Sequence, residues 1–249
     1  MWCTSSHHRS PFDQPSLVVD QVDIKPSLSV RDLGVQLRAD LSVADHDTAV
    51  IRSGYYNISQ LRQLRSSMTR EALRHAAYAL VLSRVDYCNS LYANAPATSS
   101  LINMAARVVS GSSRFDHITD FARDYLHWLS IWQWVDFKIC SMVFKVQHDL
   151  SSIYITEMMK PRSMIPRRQD LRPASRSDLI IPKHRIKFAE HAFIVAGPVA
   201  CNRLPQTIHE APSLTTFRRL LKTYLFEIAY SDSWLCTIPM RISLFWALY

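Results

Sequence analysis

Ile51-Arg52-Ser53-Gly54-Tyr55-Tyr56-Asn57-Ile58-Ser59-Gln60-Leu61-Arg62-Gln63-Leu64 is the stretch on which the fold class turns. Its apolar side chains Ile51, Tyr55, Ile58, Leu61 and Leu64 recur at steps of three and four, while Arg52, Arg62 and Arg65 take other positions. That spacing lines one face of an amphipathic helix, whereas a half-buried strand would alternate at every second residue. The helical pattern begins near Asp45 and resumes after a short break. Thr69 offers an N-cap, Glu71 suits the first turn, and Leu73, Ala76, Ala77, Leu80 and Val81 form a second stripe. A helical hairpin joined through Ser66 to Thr69 is therefore expected.

On the N-terminal side the periodicity changes. Leu17 to Val19, Val22 to Ile24 and Val30 to Leu37 are short β-favouring runs separated by Asp20-Gln21 and Lys25-Pro26-Ser27, which predicts a small antiparallel sheet. Asp20-Gln21 lacks the glycine of a strong hairpin turn. On the C-terminal side a short helix is expected at Leu101 to Val109, stopped by Gly111. Val135, Ile139, Met142, Val143 and Val146 make a further apolar face behind the bulky cluster Trp128, Leu129, Ile131, Trp132 and Trp134. Phe188 to Leu204 is punctuated by Gly197-Pro198 and followed by Pro205, which predicts short strands or a turn-rich ledge. Ser213 caps the clearest helix, with Phe217, Leu220, Leu221, Tyr224, Leu225 and Ile228 on one face and Arg218, Arg219 and Lys222 opposite. Trp234 to Tyr249 is apolar but broken by Pro239 and Arg241, short of the ~20 residues that cross a bilayer, so a loosely docked tail and no membrane partner are expected. The expected class is mainly α with a small N-terminal antiparallel β-sheet (α+β), a helical bundle followed by a basic proline-containing segment and a C-terminal helix.

Composition narrows the function. With only four glycines in 249 residues there is no Gly-rich phosphate loop, no GxGxxG and no GxSxG elbow, each of which needs closely spaced glycines. The five cysteines are scattered with no CxxC pair, which suggests neither a disulfide framework nor a zinc site and points to a reduced, intracellular setting, cytoplasmic or nuclear. Met1 to Gln14 carries His7, His8, Arg9, Pro11 and Asp13 in place of an apolar leader, so secretion is not expected. The formal charge of +8 is concentrated between Lys160 and Lys187, where nine basic residues stand against two acidic ones. With Pro161, Pro166, Pro173 and Pro182 among them, these charges predict an extended surface stretch that attracts polyanions. Arg162, Arg167, Arg168, Arg172, Arg176, Lys183, Arg185 and Lys187, together with Arg218, Arg219 and Lys222, are the candidate contacts to RNA or DNA phosphates. A solvated linker with no partner is the plain alternative. Trp128, Trp132 and Trp134 could stack bases, but their place beside an apolar helix favours burial. His7-His8 reads as an exposed N-terminal pair rather than a ligand pair, Asp116-His117 as a helix-starting or surface pair rather than a catalytic one, and Cys88, which no motif links to a histidine base, as a packing residue.

The order of phrases along the chain is more specific than any of these. Ser29-Val30-Arg31-Asp32-Leu33-Gly34-Val35 is followed by Gln60-Leu61-Arg62-Gln63-Leu64-Arg65 and by Ser83-Arg84-Val85-Asp86-Tyr87-Cys88-Asn89-Ser90-Leu91-Tyr92. Ala105-Ala106-Arg107-Val108-Val109-Ser110-Gly111, Leu126-His127-Trp128-Leu129 and Val135-Asp136-Phe137-Lys138-Ile139 come next. Ala196-Gly197-Pro198, Asn202-Arg203-Leu204-Pro205 and Phe217-Arg218-Arg219-Leu220-Leu221-Lys222-Thr223 close the series. In this order, over residues 1–230, they closely resemble the C-terminal part of the reverse transcriptase of Jockey-type non-LTR retrotransposons (LINE elements).

The resemblance implies that residues 1–44 are the end of a palm, with Leu33-Gly34 as its primer-supporting turn. Residues 45–159 would be a helical thumb-like region, 160–187 a basic linker, 188–230 a C-terminal extension and 231–249 an unmatched apolar tail. In the family the Phe/Tyr-x-Asp-Asp catalytic motif lies upstream of the stretch matched by Met1-Trp2-Cys3, and no two aspartates are adjacent in this sequence. The expectation is thus a part of an RNA-directed DNA polymerase that carries no catalytic residue and no metal ligand, Mg2+ serving only the complete family enzyme. At most it retains non-specific nucleic-acid binding. A helical interaction or structural domain with no nucleic-acid role is the alternative. The sequence departs from the family by an apparent deletion between Ser100 and Leu101, by Ser130 in place of a typical proline, by Trp132 and Trp134 at commonly polar positions and by Cys201 where tryptophan is usual. These differences mark an altered copy.

Overall fold

The structure, a computed structural model, describes residues 16–25, 27–40, 42–89, 96–161, 178–183 and 192–230. It is mainly helical with a small N-terminal antiparallel β portion, as the periodicities predict. The chain forms two compact units, Met1–Ile118 and Thr119–Tyr249, so the boundary falls inside the 45–159 stretch.

In the first unit β1 (Leu17–Val19) pairs with β2 (Val22–Ile24), and β3 (Ser29–Asp32) pairs with β4 (Val35–Arg38), both antiparallel. The run Val30 to Leu37 is thus a hairpin in itself, and the expected sheet is two separate two-stranded ones. Each pair closes through a two-residue loop with positive φ at both positions: 49° and 65° at Asp20 and Gln21, 44° and 87° at Leu33 and Gly34. Primed hairpin turns need this backbone because its twist matches that of the strands.

Helix α1 (Ala44–Leu64) buries Gly54, Ile58 and Leu61, while Tyr55 and Leu64, expected on the same apolar face, are 38% and 50% exposed. The buried row is the one that meets α4 (Pro96–Ser110), where the fully buried Leu101 lies so close to Gly54 that a Cβ there would be 2.5 Å from Leu101 Cδ2. A 3-10 turn, Arg65–Ser67, makes the hairpin bend, and Thr69 caps α2 (Arg70–Ala77) by accepting the Ala72 N–H at 3.2 Å. A π-helical turn, Tyr78–Leu82, and α3 (Ser83–Asp86) continue from α2. Leu73, Ala77 and Val81 of the second stripe are buried, but Leu80 is 42% exposed, and its carbonyl accepts the Asn57 side-chain N–H at 2.8 Å. Helix α4 runs unbroken through Ser100-Leu101, the expected deletion point, and is longer than the helix read from Leu101 to Val109.

The second unit opens with a short helix α5 (Thr119–Phe121) and a π-helical turn, Ala122–Leu126. Its axis is α6 (Ile131–Gln147), followed by α7 (Ile153–Thr156), α8 (Phe193–Cys201), α9 (Gln206–His209) and α10 (Leu214–Tyr230). Helices α8 and α10 both pack on α6. Phe144 stacks on Phe217 at 4.3 Å between centroids and on His148 at 3.8 Å, and Cys140, Val143, Leu204, Ile208, Leu221 and Leu225 are among the core residues around them. Trp132 and Trp134 are half-buried. Ser213 caps α10 by accepting the Thr216 N–H at 3.2 Å, as expected.

The described part of Phe188 to Leu204 overturns the expectation of strands or a ledge, because Phe193–Cys201 is helical. The segment Phe-Ile-Val-Ala-Gly-Pro-Val-Ala-Cys is apolar on every side and shows no period, which is how a helix enclosed in a core reads. Asn202, just beyond it, accepts the Leu179 N–H at 2.9 Å and donates to the Leu179 carbonyl at 3.0 Å, standing in for a paired strand. The tail from residue 231 lies outside the described residues. Among those described, no helix is long and apolar enough to cross a membrane.

Candidate functional site

Two helix ends of the first unit each carry an arginine in the last turn, Arg62 on α1 and Arg107 on α4. Cations are favoured there because the last carbonyls of a helix carry partial negative charge. Arg65 follows in the 3-10 turn, and Arg114 lies in the loop after α4. These four arginines line one cleft of about 240 Å³ with Val108 and Ser112.

Gly111 makes the convergence possible. It takes φ +82° as the helix stop expected from the sequence, and its N–H donates to the Arg107 carbonyl at 2.9 Å. The Arg65 guanidinium lies where a side chain at 111 would be, since a Cβ built on Gly111 would be 2.5 Å from Arg65 Cζ. The loop beyond is tied by the Ser112 N–H donating to Ser110 Oγ at 3.1 Å and the Ser113 N–H donating to the Asp116 carboxylate at 2.6 Å. Arg107 Nη2 donates to the Asp116 carbonyl at 3.4 Å, and Arg62 Nη2 to the Met104 thioether at 3.7 Å.

The cleft is short of negative charge. Among the described residues, ion pairs such as Arg38–Asp45, Arg74–Glu71 and Arg123 with Asp120 and Asp124 lie elsewhere, and none includes Arg62, Arg65, Arg107 or Arg114. Among the described residues Arg107 Nε is buried with no hydrogen-bond partner, an arrangement that costs about 1–3 kcal/mol or more for a charged group. Guanidinium groups keep their charge at any working pH and present planar forks of N–H donors that match carboxylate and phosphate oxygens. An oxoanion would offset their mutual repulsion. Phe115, next to Arg114 in the chain, is 88% exposed and offers a flat apolar face.

Of the residues singled out from the sequence, Arg162, Arg167, Arg168, Arg172, Arg176, Arg185 and Lys187 lie outside the described residues. Lys183 is exposed beyond the Leu179 bridge to Pro161. Arg218, Arg219 and Lys222 are exposed on α10, with Lys222 Nζ 5.7 Å from the centre of the Phe226 ring. Leu33 and Gly34 form the tip of the β3–β4 hairpin. Leu33 is 86% exposed, and its carbonyl accepts the Tyr87 hydroxyl. A sequence reading that places Arg62 and Arg65 on a solvated face misses the cleft. The available signal was an arginine in the closing turn of two helices plus a glycine stop on one of them.

Other reactive groups are placed for packing. Cys140 and Cys201 are buried in the second core, and the hydrogen bond between them, with burial, pushes the Cys140 thiol well above its usual range. Cys88 is half-buried in a turn at φ 53°. Among the described residues no three His, Cys, Asp or Glu side chains gather as metal ligands would. No protein-family model, curated protein or solved structure matches the chain.

Proposed function

We propose that the chain is the thumb-side part of a LINE-type reverse transcriptase, able to grip nucleic-acid backbone without sequence preference and performing no nucleotide transfer of its own. The ordered phrases quoted above support the lineage. The observation that carries the binding function is the cluster of four arginines without a carboxylate partner among the described residues. Phosphates supply what that cluster lacks, and contacts of this kind position a strand without reading its bases. The exposed Arg218, Arg219 and Lys222 add a second basic surface, and the Lys160 to Lys187 segment adds long-range attraction.

Nucleotidyl transfer in such polymerases needs carboxylates sharing two metal ions. In the family these come from the Phe/Tyr-x-Asp-Asp motif, which this sequence does not contain. The test is retention of a primer-template duplex by the full chain and by the triple variant Arg62→Gln, Arg65→Gln, Arg114→Gln. All three positions are exposed, so folding should survive. Affinity is expected to fall by an order of magnitude or more, since each lost phosphate contact removes charge-assisted bonding. Undiminished retention by this variant and by one neutralised at Arg218, Arg219 and Lys222 would contradict the proposal and favour an interaction domain.

A further inference from the structure

The geometry points to a more specific ligand for the arginine cleft: the terminal phosphate monoester of a nucleic-acid strand, in preference to an internal phosphodiester. This rests on the proposed phosphate-binding function and narrows it.

The first argument is charge. Four arginines line one cleft, and among the described residues no ion pair with a carboxylate offsets them. An internal phosphodiester brings one negative charge and two free oxygens, whereas a monoester brings nearly two charges and three strong acceptor oxygens at neutral pH. A cluster of this size is balanced better by the second. Size is the next argument. At about 240 Å³ the cleft is smaller than the roughly 300–1,000 Å³ of pockets that enclose drug-sized molecules, so it suits a phosphate with little more than its sugar.

The donors are also prepositioned. Arg65 is laid across Gly111, where any side chain would displace it, and Arg107 is held by the Asp116 carbonyl through Nη2. Holding donors in place before the ligand arrives reduces the ordering cost of binding. The closest carboxylate in the loop, Asp116, is engaged by the Ser113 N–H.

The experiment compares single-stranded oligonucleotides of one sequence bearing 5′-phosphate, 3′-phosphate or only hydroxyl ends, titrated against the full chain at fixed salt, with inorganic phosphate as competitor. A phosphorylated end is expected to bind about tenfold tighter than the hydroxyl form, the return on one added charge-assisted contact. Inorganic phosphate should erase that margin, and so should Arg65→Gln or Arg114→Gln. Arg114→Gln, in an exposed loop, guards against a variant that fails to fold. Equal affinity for all three oligonucleotides would overturn the inference while leaving backbone binding in place. A preference that persists in both variants would also overturn it, by placing the site elsewhere. If no oligonucleotide binds but inorganic phosphate raises the melting temperature of the wild type and not of Arg114→Gln, the cleft is a phosphate site and the nucleic-acid function fails.

Discussion

Leu33 sits in a backbone conformation that leucine disfavours, at φ 44° with its side chain almost wholly in solvent. A left-handed residue other than glycine or asparagine costs about 1–2 kcal/mol, and burial of the leucine side chain does not offset it here. The Tyr87 hydroxyl bond to the Leu33 carbonyl and the Tyr87 ring, 3.5 Å from a Cβ built on Gly34, hold the turn from below. Leu33→Asn should therefore raise stability by about 1 kcal/mol in urea unfolding, because Asn-Gly suits this turn. If the exposed leucine supports a primer, the same variant should weaken duplex binding, separating stability from function. Asp136 gives a pH signature in the second unit. Burial lifts its carboxyl to about 6 against the opposing pull of Arg203. The folded state then holds this proton more tightly than the unfolded one, so stability is full below about pH 4 and falls as pH rises through 6. Asp136→Asn should be more stable than wild type at pH 7, by up to about 3 kcal/mol, and equal to it near pH 4. An advantage that does not shrink on acidification would contradict this. Local chemistry of this kind was partly readable: Thr69 and Ser213 cap as their residue types suggest, because a cap depends on neighbours three residues away. The arginine cleft depends on residues from 62 to 114 meeting in space, which no local window contains.

Among the elements, those with a clean period were legible and those enclosed by apolar neighbours were not. Helices α1, α2 and α10 each keep a polar face, so their stripes stand out. Helix α8 has none, and Gly197-Pro198 adds the punctuation of a turn, yet packing on α6 holds the segment helical. Tertiary burial there overrides local propensity. The strand run Val30 to Leu37 was legible as β but hid its turn, since an exposed leucine at the tip preserves the apolar look of a strand. The packing of α10 on α6 centres on the Phe144–Phe217 stack, with both rings about 2% exposed. Phe217→Ala should cost about 3–5 kcal/mol, read as a lower denaturation midpoint. A loss below 1 kcal/mol would mean that this face of α10 is not seated.

For the whole molecule, the sequence indicates a basic chain with a mainly helical fold, and the structure adds two units that each own a core. The arginines that fold into one cleft belong to the first unit, outside the charge-dense stretch from Lys160 to Lys187. Net charge alone would assign polyanion attraction to that stretch, whereas the convergence of four arginines makes the cleft the place where we propose a phosphate is held. The most direct test is the dissociation constant of the full chain for a primer-template duplex, measured between about 50 and 200 mM salt, alongside the triple variant at Arg62, Arg65 and Arg114. Wild-type affinity should fall linearly on logarithmic axes, and the slope should shallow by about one for each arginine lost. An affinity independent of salt, or a slope the variant leaves unchanged, would contradict phosphate gripping by this cleft.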